Sequence, residues 1–125
     1  MTEESEREEI VYRGLTLAEG EQVIKNKAFE ETEKHFAGLK AVAEYFGHRA
    51  HKKYPKGGGP AMVTAVVYVT DLKLWIKNGI VKSDRINDPD NEDAHGKLQL
   101  VFTPLGIEQL NKLMFKDKLE LTKLG

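Results

Sequence analysis

The sequence predicts an α+β fold, a single small domain in which one long helix packs on a mixed or antiparallel sheet. Of the 125 residues, 40% are hydrophobic, which is enough for one core without disulfides. Segment 61–70 is apolar on both faces, as in a central strand that is covered on both sides. Segment 31–54 has the apolar spacing of a long helix. The remaining predicted helices are short, so the strands between them need not run parallel.

The first strand is predicted at residues 9–16, where side chains alternate between two faces. Thr16 followed by Glu19 has the spacing of a capping box, which predicts a short helix from Leu17. The long helix lies within 31–54, and its apolar face carries Phe36, Leu39, Val42 or Ala43, Phe46 and Ala50.

Further signals define the second half of the chain. Thr103 and Pro104 have the residue types of an N-cap and a first helical position. Residues 83–96 are polar and are expected to form a loop. The other predicted elements are a central strand at 61–70, a short helix at 70–79 closed by Gly79, a strand at 97–103 and a last strand at 119–122.

Residues 1–9 form the most acidic part of the chain, with five glutamates, one arginine and little apolar content. Such a segment buries too little apolar area to offset its ordering entropy, so we predict a disordered acidic tail at 1–9 and a single domain at 10–125. The N-terminus lacks the apolar stretch of a signal peptide, and no apolar run approaches the ~20 residues of a membrane helix. We therefore expect a cytoplasmic protein without a membrane partner.

Signatures of metal sites are incomplete. The chain has no cysteine. Asp88, Asp90 and Glu92 alternate as in a calcium loop, but the glycine and glutamate that an EF-hand needs further along are missing. His48 and His51 lie one helical turn apart, and the spacing suggests no third ligand. We predict no metal site.

Arg13 is the first candidate for function. It shares a strand face with Val11 and Leu15, so a buried face would place a guanidinium where it needs an anionic partner. Two interpretations stay open. Arg13 either pairs with a nearby acid, or it clamps a phosphate with the planar fork that suits arginine to this task.

Three segments resemble, in order, the ADP-ribosyltransferase fold, a small NAD-binding α+β domain of bacterial toxins and their relatives. They are "VYRG" on the first strand, "HFAGLKAVAEYF" leading to "AVVYVTDL", and "LQLVFTPLGIEQL". The resemblance covers most of residues 10–114. It implies that NAD is the cofactor and that the residues contacting it are Arg13, Tyr12, Thr32 and His35.

The resemblance also places Gln99 where the family has its catalytic glutamate, aligned on "VFTP". An amide can bond a ribose hydroxyl but carries no charge to stabilise a cationic transition state. Glu92 or Asp93 would have to supply that carboxylate from the acidic loop. If the chain is active, it is an NAD-dependent ADP-ribosyltransferase; otherwise it is a nucleotide-binding relative without the chemistry.

Two other functions stay open. The first is a non-catalytic protein-binding or regulatory module, which would use the basic helix end or the acidic loop. The second is nucleic-acid binding through the basic segment 48–56, which we do not expect because only this short run supports it. The position of Arg13 discriminates between the transferase-like function and the binding module. A concave site near Gln99 favours the transferase-like reading, whereas a surface or locally paired arginine favours the binding module.

Overall fold

A computed structural model describes residues 7–125, which form one small α+β domain, as predicted. In chain order its elements are β1 (Glu8–Thr16), α1 (Leu17–Asn26), β2 (Lys34–Phe36), α2 (Lys40–Lys53), β3 (Pro60–Tyr68), α3 (Val69–Lys77), β4 (Val81–Arg85), β5 (Leu98–Phe102), α4 (Pro104–Leu113), a 3₁₀ turn (Lys116–Lys118) and β6 (Glu120–Lys123).

The start of the domain differs slightly from the expectation. Of the predicted acidic tail at 1–9, residues 1–6 lie outside the described residues. Glu8 and Glu9 belong to β1, where they pair with Tyr68 and Val67 of β3. Membrane-spanning helices are absent from the described part of the chain, since none of its helices is long and apolar enough.

The strands form two antiparallel three-stranded sheets rather than one, with the orders β1-β3-β6 and β2-β5-β4. An isolated bridge joins the sheets, where Tyr12 and Ala37 exchange two backbone hydrogen bonds of 2.8 Å. Within the described chain this pairing does not continue to Gly14 and His35, so β1 and β2 part there. The gap between the two strands forms one wall of the candidate site.

The long helix was predicted to begin too early. Residues 34–36 form β2, which pairs with β5, and α2 begins only at Lys40. Phe36 is fully buried on this strand, whereas Leu39 is 59% exposed at the N-cap of α2. The helical spacing of the two residues was therefore fortuitous, because pairing with β5 decides the conformation of this segment.

The start of the predicted polar loop at 83–96 belongs to a strand. β4 runs over Val81–Arg85, and only its first residue is buried. Its polar, exposed side chains carry no apolar alternation, so the sequence could not show it. Val69, predicted at the end of the central strand, instead begins α3.

The main core lies between the two sheets, and β3 is the central strand of the first, as predicted. Val63 and Val67 are fully buried in it, in the same cluster as Phe36. Phe46, predicted on the same helix face as Phe36, instead packs against a second cluster, which contains Val42 and Ala43 of α2. The helix therefore packs on the opposite face of the first sheet.

Gly14 allows α2 to pack closely on β1. A Cβ added at Gly14 would lie 2.0 Å from the Ala43 carbonyl oxygen and 2.3 Å from the Gly47 nitrogen. No other residue fits this position without displacing the helix. The contact holds the C-terminal half of α2 beside the gap between β1 and β2.

Candidate anion-binding cleft

A cleft of about 340 Å³ opens beside the bridge between Tyr12 and Ala37. Strand β1 and the start of α1 form one wall of the cleft, and His35 of β2 lies on the opposite side. The C-terminal half of α2 forms a third wall. The side chains that matter for its chemistry are Arg13, Glu19, His35, Phe46, Arg49 and Lys53.

Arg13 occupies the point where the strands part. Bonding directions alternate along an antiparallel strand, so the backbone groups of Gly14 point toward β2, as those of Tyr12 do. In a continued ladder the His35 carbonyl would face Gly14. It instead accepts a hydrogen bond from Arg13 Nη1 at 3.3 Å. The guanidinium thus donates to the carbonyl that the Gly14 amide would bond in a continued ladder.

The local acid that pairs with Arg13 is Glu19 of α1. Arg13 Nε and Nη2 donate to the same oxygen, Glu19 Oε2, at 2.9 and 2.8 Å. The arginine side chain is only 16% exposed, and that of Glu19 is 39% exposed. Arg13 is therefore paired with a local acid, and it also lines a concave site.

His35 connects Arg13 with Gln99. Its ring Nδ1 lies 3.1 Å from Gln99 Oε1, and its ring meets Phe46 edge to face, with the centroids 6.3 Å apart. Because an amide oxygen only accepts, Nδ1 is the donor in this contact, and Nε2 lies 3.9 Å from Glu33 Oε1. Gln99 is 9% exposed. Its amide carries no formal charge.

The cleft carries an excess of positive charge. Arg13, Arg49 and Lys53 line it, against the single carboxylate of Glu19. Arg49 and Lys53 are four residues apart, so α2 presents both on one face. Like charges that converge in a concave site raise the local concentration of counter-ions. The arrangement therefore suits an anionic ligand.

The basic segment 48–56 does not form one continuous track. Arg49 and Lys53 line the cleft, whereas His48 and Lys52 line a different cavity, to which Arg49 also contributes. There the Tyr45 hydroxyl donates to Asp88 Oδ2 at 2.5 Å. Partial burial and this hydrogen bond raise the pKa of Tyr45 above its usual value.

Lys34 lies on the core side of β2 and is 8% exposed. Its ammonium donates to Thr32 Oγ1 at 2.9 Å. Burial, reinforced by the charge of Arg13, lowers the pKa of Lys34, and Glu19 and Glu30 act in the opposite direction. Lys34 lines a second cavity, of about 380 Å³, which shares Glu19 with the cleft.

The other residues expected at the site lie outside the cleft lining. Tyr12 packs against the second core cluster and contributes its backbone to the bridge. Thr32 contacts Lys34. Glu92 and Asp93 line a cavity of about 560 Å³ beside the first half of α2. Of the residues expected at the site, only Arg13 and His35 line the cleft, and Gln99 is connected to it through its contact with His35.

Sequence reasoning missed two charged residues of this region, Glu19 and Lys34. Glu19 was recognised only as a capping residue, and its backbone amide does donate to Thr16 Oγ1 at 3.3 Å. Its carboxylate, which in a capping box would return to the N-cap backbone, binds Arg13 instead. Lys34 was hidden inside the predicted helix. The sequence offers no local signal for it, because the pairing of β2 with β5 places Lys34 on the buried face.

Comparisons of the chain with protein-family models, with curated proteins and with solved structures find no match. Groups of three or more metal-ligating side chains are also absent from residues 7–125. The geometry of the cleft is therefore the basis for the functional proposal.

Proposed function

We propose that this domain binds NAD or a related nucleotide in the cleft, as an ADP-ribosyltransferase-like protein. The observation that carries the proposal is the position of Arg13, which lies at the opening between the two sheets and connects through His35 to Gln99. The same three residues are those that the resemblance assigns to NAD binding and to the catalytic position.

The charges of the cleft support a phosphate-bearing ligand. Arg13 presents a planar fork that matches phosphate oxygens, and Arg49 and Lys53 add charge from α2. A phosphate would compete with Glu19 for the guanidinium. Because Glu19 uses one carboxylate oxygen for both hydrogen bonds, the pair is not a full two-oxygen clamp. A phosphate that offers two oxygens can therefore replace it on geometric grounds.

Gln99 at the catalytic position favours binding of NAD without rapid cleavage of the ligand. The imidazole of His35 lines the cleft and can hydrogen-bond a ribose hydroxyl, whereas the Gln99 amide is buried and contacts His35. Neither group supplies the negative charge that would stabilise an oxocarbenium-like transition state. We therefore expect the domain to hold NAD while cleaving its nicotinamide–ribose bond slowly or not at all.

Isothermal titration calorimetry with NAD tests the binding step. Arg13→Lys keeps the charge but loses the fork, so it should weaken binding by roughly tenfold, and Arg13→Ala should weaken it further. The matched control is Arg85→Ala on β4, because Arg85 bonds the Gly96 carbonyl at 2.8 Å and does not line the cleft. No binding at millimolar NAD, or binding that Arg13→Ala leaves unchanged, would refute the proposal.

A second experiment tests the role of Gln99. In NAD hydrolysis the bond between C1′ and nicotinamide breaks as water adds to C1′. Gln99→Glu places a carboxylate next to His35 and should raise the rate of nicotinamide release above that of the wild type. Gln109→Glu on α4 is the control for added charge away from the cleft. Equal rates for both variants would exclude a catalytic role for position 99.

A further inference from the structure

Arg49 of α2 lies between the cleft and a neighbouring cavity, and it lines both of them. The neighbouring cavity measures about 380 Å³ and lies between α2 and the loop that follows β4; we call it the helix–loop cavity. Besides Arg49, its lining residues are Tyr45, His48, Lys52, Asn87, Asp88 and Asn91. A ligand that occupies both spaces would therefore meet the same guanidinium from two sides.

The helix–loop cavity has the charge balance of an anion site. Its lining carries the cations Arg49 and Lys52 against one carboxylate, that of Asp88, and one oxygen of this carboxylate already accepts a hydrogen bond from Tyr45. The side-chain amide of Asn91 adds a neutral donor. Cations that line a concave site concentrate counter-ions, so this lining suits a phosphoryl group.

Hydrogen bonds hold the Arg49 guanidinium at the boundary between the two spaces. Its Nη1 donates to the Tyr45 hydroxyl at 3.3 Å, and this hydroxyl in turn donates to Asp88 of the loop. Within residues 7–125 the guanidinium donates this one hydrogen bond, so most of its N–H groups stay available to a ligand. Because its donors form a planar fork, one guanidinium can bond oxygens of two phosphoryl groups at once.

We propose that the anion site of the cleft extends past Arg49 into the helix–loop cavity, so that the domain binds a ligand with two linked phosphoryl groups. One phosphoryl group lies in the cleft with Arg13, the other lies in the helix–loop cavity with Lys52, and Arg49 contacts both. The inference rests on the proposed function for the phosphate-bearing class of ligand. It adds Lys52 and the loop after β4 to the binding surface.

Inorganic pyrophosphate is the probe, and its affinity is measured by calorimetry with the full chain at constant ionic strength. Lys52→Gln removes a cation of the helix–loop cavity and should weaken pyrophosphate binding by roughly fivefold. Lys56→Gln is the matched control, because Lys56 is an exposed lysine of the same basic segment and lines neither space; it should change the affinity by less than about twofold. Both variants lose one positive charge, so equal losses of affinity would indicate a general field effect and overturn the second subsite.

A measurement on the wild type keeps the test independent of how the variants fold. The side-chain amide signals of ¹⁵N-labelled protein report contact with the ligand, and Asn91→Ala identifies the signal of Asn91. Pyrophosphate should shift this signal, because the amide lines the helix–loop cavity. The amide of Asn78, at the C-terminal end of α3, lines neither space and should not move.

Failure of this inference is distinguishable from failure of the proposed function. An unchanged pyrophosphate affinity in Lys52→Gln, or an Asn91 signal that pyrophosphate does not move, would overturn the extension of the site. Absence of pyrophosphate binding by the wild type would overturn it as well. The NAD titration with Arg13→Ala decides the proposed function separately, because Arg13 lines the cleft and not the helix–loop cavity.

Discussion

Gly14→Ala tests whether the close packing of α2 on β1 is required for the fold. The added Cβ would lie 2.0 Å from the Ala43 carbonyl oxygen, whereas ordinary van der Waals contact begins at 3.4 Å. The shortfall is 3.4 − 2.0 = 1.4 Å, and it falls on the helix backbone, which cannot rotate away as a side chain can. The helix would have to move off the sheet and disturb the cluster that contains Val42 and Ala43.

The expected cost lies at the upper end of the overpacking range, about 3 kcal/mol in the free energy of unfolding. For a domain of this size that corresponds to a fall in Tm on the order of 10 °C. Urea denaturation provides the measurement. It can be followed by the fluorescence of Trp75, the single tryptophan, which is 3% exposed in the core.

Gly38→Ala is the matched control, because a Cβ at Gly38 meets no atom within 4 Å. Both substitutions reduce the entropy of the unfolded chain in the same way, so their difference isolates the steric clash. If the two variants unfold within about 1 kcal/mol of each other, α2 can shift at little cost. That result would refute the argument that Gly14 sets the position of the helix.

Three other predictions concern stability. Val67→Ala should lower the unfolding free energy by about 1–3 kcal/mol in urea titrations, since the side chain is fully buried; no change would contradict its place in the core. Thr103→Ala should cost about 1 kcal/mol, because the hydroxyl caps Gly106 and donates to the Ile80 carbonyl at 2.7 Å; an unchanged midpoint would contradict this. Folding lowers the pKa of Lys34, so its charged form destabilises the native state. The wild type should gain stability relative to Lys34→Met as pH rises from the folded pKa toward 10.5, and a constant difference would be inconsistent with that shift.

Local signals in the sequence were sufficient to predict the α+β class, the central strand and two helix starts. Thr16 and Thr103 cap helices through hydrogen bonds to amides three residues ahead, so everything that makes them caps is visible in a short stretch of sequence. The segment 61–70 is likewise apolar throughout, because β3 is covered on both faces. Signals of this kind depend on neighbours along the chain and not on distant partners.

The candidate site was only partly predictable. Arg13 was identified as a residue in need of an anionic partner, and the structure gives it Glu19 from the next helix. His35 and Gln99 were named from the resemblance, and they lie in contact although 64 residues separate them. Their proximity comes from the pairing of β2 with β5, which no local pattern specified.

Tertiary structure alone decided the division into two sheets and the charge cluster between their strands. β2 and β4 are short and largely polar, and they exist as strands because β5 supplies their backbone hydrogen bonds from both sides. This pairing turns Lys34 toward the core and leaves a gap in which Arg13 donates to the His35 carbonyl. The sequence determined which segments have a strong conformational preference of their own. Segments without one took the conformation that satisfied their backbone groups and those of distant partners, and the cleft formed where that pairing ends.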